Sequence, residues 1–286
     1  MAPLPLQTKT LFALLAVGTI AIQGMAAACS GPGLGPGELL GSDPRPAQPE
    51  PRPGNWEVAT VENLVPRPVS RRILRTVAAE VDSPISDLRI AAAEAATWDG
   101  CMGIYAPDQL CTMIAISGLR LVVTDGDQSW VYHARQDGRE MVQNPTAISR
   151  NGLIPDFIPP VMAEPEAEPE AHIFRSVESG SLTGAQSETV LLTDGRLLRK
   201  ENGKVVSERQ LSAEQVAAFE QVLEDQRFPN LNRLRYITSA AFADYPTVQL
   251  SAMQYETTYI DLAIDDAPPA LQAVVQAWSE LTAEAQ

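Results

Sequence analysis

Three cysteines and two histidines are the residues of this chain whose chemistry depends most on spacing. Cys29 stands alone after a run of alanines, whereas Cys101 and Cys111 enclose nine residues. A lone cysteine after an export signal can carry lipid, and a close pair in an oxidising compartment can form a disulfide. His133 and His172 have no recognisable spacing to the pair. The pattern indicates an exported protein more clearly than it indicates a reaction, and we predict no catalytic residues.

The first 28 residues have the layout of an export signal. Lys9 is the only charged side chain before Cys29, and residues 11–22 are almost entirely apolar. A basic start, an apolar stretch of about 7–15 residues and a small-residue end define a secretory signal. Residues 26–29 (AAAC) resemble a bacterial lipoprotein box, with alanine where leucine is usual. We expect a signal peptide over 1–28 and a lipid on Cys29. Plain cleavage within the alanine run and an uncleaved anchor are the alternatives.

Two segments rich in proline divide the rest of the chain. Residues 29–56 are crowded with glycine and proline, and residues 151–170 end in a stretch, 159–170 (PPVMAEPEAEPE), of alternating proline and glutamate. Such compositions cannot bury enough apolar surface to offset the entropy of ordering the chain. We therefore expect a disordered tether followed later by a stiff acidic linker, although the first segment could also be a flexible terminus without a tethering role. Two small domains then remain, over 57–150 and 171–283.

The charge balance excludes one class of partner. The formal net charge is −15 at neutral pH. Phosphate contacts need clustered lysine and arginine, and anionic lipid surfaces attract basic segments. We therefore expect no nucleic-acid partner, and we expect membrane contact only through the lipid on Cys29. Solubility accounts for the acidic surface.

Apolar periodicity predicts an α+β fold in both domains. In the first, an apolar residue recurs every four positions over 69–81, which is typical of one helix face. A strand (88–98) and a hairpin (119–123 and 130–134) follow. In the second, we predict strands at 172–177, 189–193, 196–200, 204–210, 247–252 and 257–264, a capped helix from Ser212 to near Arg227, and a helix from Pro268. Each domain is then an antiparallel sheet packed with one or two helices.

The loop between Cys101 and Cys111 is the distinctive part of the first domain. A disulfide across a loop of this length closes without strain and stabilises by very roughly 2–3 kcal/mol. Metal ligation and a redox pair are the alternatives. A metal needs further ligands, and redox pairs normally have C-x-x-C spacing. We predict a structural disulfide, with no metal and no cofactor.

The same loop carries our candidate partner-binding residues, which are Trp98, Met102, Ile104 and Tyr105. A disulfide-constrained apolar loop loses less conformational entropy on binding than a free one. The alternative is that these side chains simply cap the sheet.

Two resemblances extend this interpretation. The helix, strand and hairpin, with residues 130–138 (WVYHARQDG) closing the hairpin, resemble a PepSY-type half-domain over about 70 residues. The cysteine loop between strand and hairpin departs from that pattern. PepSY-type domains are associated with inhibition of proteases, so the resemblance implies a peptidase regulator.

Most of residues 66–283 also resemble a group of exported, lipoprotein-like, two-domain proteins of cyanobacteria that have no assigned activity. The resembling elements are Trp98-x-x-Cys101-x-Gly103 with Cys111, Val131-Tyr132, Ser179-Gly180-x-x-x-Gly184, Asp194-Gly195, Ala243-Asp244-Tyr245, Leu271-Gln272 and Ala277-Trp278. Leu119 stands where an aromatic residue is expected, and residues 133–135 (HAR) replace a more polar turn. This resemblance implies a compartment, the periplasm or a lumen, and no chemistry.

Three functions are compatible with these observations. The leading hypothesis is a non-enzymatic, membrane-tethered binding or assembly module with an unknown protein partner. The second is a PepSY-like inhibitor of peptidases, and the third is an enzyme of unrecognised type. A deep pocket with convergent polar side chains would favour the third hypothesis.

Overall fold

The computed structural model describes residues 60–159, 171–180, 184–238 and 245–283. The predicted signal peptide and the whole predicted tether, including Cys29, lie outside the described residues, as do residues 160–170 of the predicted acidic linker.

Within those ranges the chain forms four α-helices, twelve strands and two 3₁₀ turns. The helices are α1 (Val61–Leu64), α2 (Arg67–Glu80), α3 (Ala213–Asp225) and α4 (Pro269–Ala283). The strands are β1 (Arg89–Trp98), β2 (Ile116–Thr124), β3 (Ser129–Arg135), β4 (Met141–Ser149), β5 (Asp156–Phe157), β6 (His172–Ser179), β7 (Ser187–Leu192), β8 (Arg196–Glu201), β9 (Lys204–Gln210), β10 (Leu234–Tyr236), β11 (Thr247–Ala252) and β12 (Tyr255–Ile260). The 3₁₀ turns are Phe228–Leu231 and Asp261–Asp266.

The strands form two sheets. The first is antiparallel, with β1 to β4 in chain order, and the second has eight described strands in the order β5-β10-β12-β11-β6-β7-β8-β9. All pairings in the second sheet are antiparallel except that of β10 with β12, which is parallel. The α+β class predicted from the sequence is confirmed, with one parallel pair added.

Helix α2 covers one face of the first sheet. Ile73 and Val77 are fully buried, and they pack against Leu121 and Tyr132 of β2 and β3. A proline stands in the first turn of the helix, where its missing N–H costs nothing. The four-residue periodicity therefore predicted both the helix and the face that it buries.

The other face of the first sheet packs against the second sheet. Val122 and Val131 point away from α2 and are fully buried in the same core as Phe174 of β6 and Trp278 of α4. A sheet that is apolar on both faces needs a layer on each. Residues 56–286 accordingly form one compact unit. The domain boundary predicted near residues 151–170 lies between the strands of the first sheet and most strands of the second. The two sheets nevertheless share one core.

Part of the predicted acidic linker belongs to the fold. Strand β5 pairs with β10 at the end of the second sheet, and Leu153 and Phe157 are buried in the shared core. These two side chains anchor the segment in the core. The proline and glutamate content of the segment gave no indication of this anchor. The linker prediction is thus corrected for residues 151–159, while residues 160–170 lie outside the described part.

One strand was not predicted from the sequence, and one was predicted too long. Strand β4 contains Pro145, which removes a backbone donor, so its sequence did not indicate a strand; β4 is the last strand of its sheet, where proline is tolerated. The predicted strand 257–264 ends at Ile260, because the chain then turns into the 3₁₀ segment Asp261–Asp266. The capping box of α3 is confirmed, with the Ser212 side chain accepting from the Gln215 backbone N–H.

Candidate binding site

The loop that follows β1 is closed by a disulfide and by its own backbone. Cys101 and Cys111 are bonded, with their Cα atoms 5.4 Å apart. The Asp99 carboxylate accepts hydrogen bonds from the backbone N–H groups of Cys101 and Gly103, at 3.0 and 2.9 Å. The Gly100 N–H donates to the Thr112 carbonyl at 2.9 Å. The disulfide loop (residues 99–112) is therefore constrained at both ends.

Trp98 fastens this loop to the first sheet. Its indole N–H donates to the Ala134 carbonyl on β3 at 3.1 Å, so the ring must cross β2. It crosses above Gly118, where an added Cβ would lie 2.3 Å from the indole nitrogen. Gly103, at φ +68°, lies against the ring as well, since a Cβ there would lie 2.5 Å from Trp98 Cε3. Both glycines are required by the position of this one side chain.

His133 lies beneath the loop as a buried neutral residue. Its ring stacks on Trp98 with centroids 4.1 Å apart and an interplanar angle of 6°. The Nδ1 atom lies 2.7 Å from the Met102 carbonyl, which can only accept, so Nδ1 carries the proton. Burial, and then the charge of Arg120, lower the pKa of His133 to about 3. His133 is thus a structural support for the loop and is not a base near neutral pH.

Asn230 joins the disulfide loop to the second sheet region. Its side-chain oxygen accepts from the Tyr105 N–H at 2.7 Å, and its side-chain nitrogen donates to the Tyr105 carbonyl at 2.9 Å. The same side chain bonds to the Thr146 hydroxyl on β4, and its backbone carbonyl accepts from the Asn144 side chain. One buried amide therefore links the loop, β4 and the 3₁₀ turn Phe228–Leu231.

The four candidate partner-binding residues divide into two groups. Trp98 and Met102 are only 5% and 4% exposed, so they support the loop and do not offer surface to a partner. Ile104 is half-buried, and Tyr105 is 37% exposed. Trp98 and Met102 are buried because they cover the part of the first sheet that lies beyond β2. The alternative prediction that these side chains cap the sheet describes Trp98 and Met102.

Other apolar side chains of the loop are more accessible than those predicted. Leu110 is 99% exposed, and Met113 and Ile114 beyond the disulfide are also exposed. Sequence reasoning missed them because nothing in a loop pattern tells which apolar residues face inward. Their position beside Cys111, at the end of the constrained segment, was the available signal.

An apolar pocket of about 440 Å³ adjoins Tyr105. Its wall is mostly apolar and comes from the disulfide loop, α3, the 3₁₀ turn Phe228–Leu231 and the β11–β12 hairpin; it includes Tyr105, Leu223, Phe228, Ala252, Met253 and Tyr255. Met253 stands at the tip of the hairpin and is 75% exposed. Glu220, Glu224, His172 and Thr193 add polar groups. The pocket can hold a large apolar group beside two carboxylates.

Two arrangements near the site could suggest chemistry. Asp99, Cys101 and Cys111 lie within metal-binding distance of one another, but bonded sulfurs are not thiolates and the Asp99 oxygen is used by its own loop. His172 Nε2 and Ser251 Oγ lie 3.4 Å apart, beyond the 2.6–3.2 Å usual for a nucleophile and its base. Neither arrangement supports a metal centre or a hydrolase.

Comparison with known proteins gives one finding. Residues 70–143 match a family described as a domain of unknown function, DUF8738. The match runs from α2 into β4 and includes the disulfide loop. Neither the curated proteins nor the solved structures contain a match to this chain.

No helix among the described residues is long and apolar enough to cross a bilayer. Cys29, the predicted lipidation site, lies outside the described part of the chain.

Proposed function

We propose that this protein is an exported, membrane-tethered module that captures a protein partner and has no catalytic role. The observation that carries the proposal is Tyr105. Its backbone is held on both sides by Asn230, and it contributes to the wall of the apolar pocket. A surface that is already ordered loses little conformational entropy on binding. The disulfide loop and the pocket thus offer a prepared binding surface.

The lining and rim of the pocket define the partner's chemistry. A volume of about 440 Å³ is within the range of sites that enclose an apolar ligand or side chain. Glu220 and Glu224 border it, and the whole chain carries a net charge of −15. Complementary charge favours the right partner and speeds its encounter. The partner should therefore offer an apolar anchor flanked by lysine or arginine.

Photo-crosslinking tests the position of the surface. A photoreactive amino acid replaces Met253 at the pocket, and a matched control replaces Val205, which is 54% exposed on β9 and outside the pocket lining. In cells, we expect a discrete crosslinked species from position 253 only, and Tyr105→Ser should reduce it about tenfold, as for a central binding residue. Equal crosslinking at both positions, or no effect of Tyr105→Ser, would contradict the proposal.

The tether has its own test. Intact mass of the protein extracted from membranes should exceed the mass of residues 29–286 by the acyl groups on Cys29. An unmodified Cys29 would remove the lipid anchor from the proposal and leave plain secretion or an uncleaved anchor. The proposed location, periplasm or lumen, is supported by the predicted export signal, the disulfide and the resemblance to exported proteins.

A second candidate is inhibition of a peptidase. Leu110 favours it, because this side chain is almost fully exposed directly before Cys111. Tight inhibitors present such a residue on a pre-ordered loop. The chain from residue 29 to 286, added at micromolar concentration, should slow a periplasmic peptidase, and Leu110→Gly should abolish this while Met113→Gly should not. Unchanged peptidase rates would reject this candidate.

A further inference from the structure

A second groove lies on the other side of Trp98, between the two sheets. It encloses about 830 Å³ and is bordered by β1, by β5 and by α1. Strand β1 is the last strand of the first sheet, and β5 is the last described strand of the second. The groove therefore runs along a sheet edge. It shares none of the residues that line the pocket beside Tyr105.

The edge of β1 has no strand partner among the described residues, and its residues 90–94 are half-buried beside helix α1. It pairs with β2 over residues 89–98, and no other described strand pairs with it. Natural edge strands are commonly protected by proline, lysine or a bulge. Here the bulge lies at the start, near Ile90, and residues 91–96 are alanine except for Glu94. Small side chains leave the backbone N–H and C=O groups of this edge within reach.

Glu94 does not protect the edge as a free charge would. Its carboxylate lies 3.5 Å from Arg120 and 3.3 Å from Arg233. Arg233 also donates to the Ile158 carbonyl at 2.7 Å, and the Glu94 side chain that it pairs with is only 20% exposed. The Glu94 carboxylate on β1 is thus paired with two arginine side chains inside the groove.

The groove is locally positive in an acidic protein. Arg120, Arg233 and Arg235 line it, against Glu94 and Asp156, which leaves one positive charge in excess. The whole chain, by contrast, has a net charge of −15. A guanidinium has five N–H donors, so Arg233 and Arg235 can each bind a further acceptor. The excess positive charge of the groove favours an acidic group as that acceptor.

We propose that the edge of β1 with which no described strand pairs accepts an extended segment of a protein partner as an added strand, and that Arg233 and Arg235 bind an acidic side chain of that segment. Backbone pairing supplies affinity in this mode, and side-chain contacts supply specificity. Residues 92–98 continue the β1 ladder without a bulge and span roughly 20 Å at about 3.3 Å per residue. That length fits a peptide strand. This inference does not depend on the pocket beside Tyr105.

Two blocked peptides test the proposal on the full chain. Both contain ten residues of alternating threonine and valine, with a central glutamate in one and a glutamine in the other. Fluorescence anisotropy measures binding, and hydrogen exchange measures protection of each amide. We expect the glutamate peptide to bind about fivefold more tightly, as for one partly exposed charge pair, and to slow amide exchange in β1.

Three variants complete the design. Arg235→Gln should reduce glutamate binding to the level of the glutamine peptide, and Arg139→Gln, a control on an exposed turn, should have no effect. Asp156→Asn should tighten glutamate binding, because it releases Arg235 from a 2.9 Å ion pair. Failure of both peptides to bind at millimolar concentration, equal binding of the two, or binding without protection of β1 would overturn the proposal.

Discussion

Acid should destabilise this protein through His133. The ring is 3% exposed, stacks on Trp98 and must stay neutral in the folded state. Its pKa falls to about 3 on folding, from about 6.5 in an unfolded chain. Above pH 6.5 both states hold a neutral ring, and stability is complete. As the pH falls from 6.5 toward 3, the unfolded chain gains a proton that the native state does not accept.

The size of the effect follows from linkage. Each pH unit in that window costs about 1.4 kcal/mol of unfolding free energy. Between pH 7.5 and pH 5 the loss through His133 is therefore about 2 kcal/mol. Urea unfolding followed by tryptophan fluorescence, with the disulfide intact, measures it at the two pH values.

Comparison of variants isolates the histidine. His133→Gln keeps a donor for the Met102 carbonyl and does not titrate, so its stability should fall by about 2 kcal/mol less than that of the wild type over the same interval. His172→Gln serves as the control. Because it keeps His133, it should still lose about 2 kcal/mol of unfolding free energy through His133. If the wild type and His133→Gln lose the same stability, the buried neutral ring is not the cause and the reasoning fails.

Three further changes test how the disulfide loop is attached. Asn230→Ala leaves the part-buried Tyr105 backbone groups and the buried Thr146 hydroxyl without this partner, and it should cost about 2 kcal/mol in urea unfolding. Gly118→Val places a side chain where the Trp98 ring lies, so it should cost about 3 kcal/mol and shift the tryptophan emission. Replacement of Cys101 and Cys111 by serine should cost about 3 kcal/mol; a cost below 1 kcal/mol would show that the other attachments dominate.

The sequence was sufficient for elements that are determined locally. The helix α2, the hairpin of β7 and β8 and the capping box of α3 depend on periodicity, an Asp-Gly turn and one serine, all of which are short-range signals. The capping residue Ser212 and its partner Gln215 stand three positions apart, so their hydrogen bonds could be predicted before any fold was known.

The packing of the two sheets could not be predicted in the same way. Val122 and Val131 alternate with residues that face α2, and the sequence does not tell whether such positions face solvent or a second layer. Residues 151–170 looked like a linker because prolines and glutamates outnumber the two buried anchors, Leu153 and Phe157. Composition averages over a segment, whereas one or two fully buried side chains determine whether it is part of a core.

The sequence indicated where the constrained loop lies, but not which of its side chains are exposed. The cysteine pair indicated a constrained loop, and Tyr105 proved to be accessible there. Asn230 could not have been foreseen, since it lies 125 residues from Tyr105 and asparagine has no pattern that signals a long-range bond. Long-range polar contacts of this kind arise from the final packing, which single-residue patterns do not encode.

The loop's attachments are unevenly distributed, and this predicts how reduction acts on it. Residues 102–105 are held by His133 and Asn230, through contacts that do not involve sulfur. The second half, which includes Leu110, is connected to the first half by the Cys101–Cys111 disulfide and by one backbone hydrogen bond, from the Gly100 N–H to the Thr112 carbonyl. Reduction should therefore speed amide exchange over residues 106–111 and leave the Tyr105 amide protected. Binding through the pocket would then survive reduction while binding through Leu110 would weaken, so one titration with a reductant separates the two proposed modes; loss of Tyr105 protection would contradict the argument.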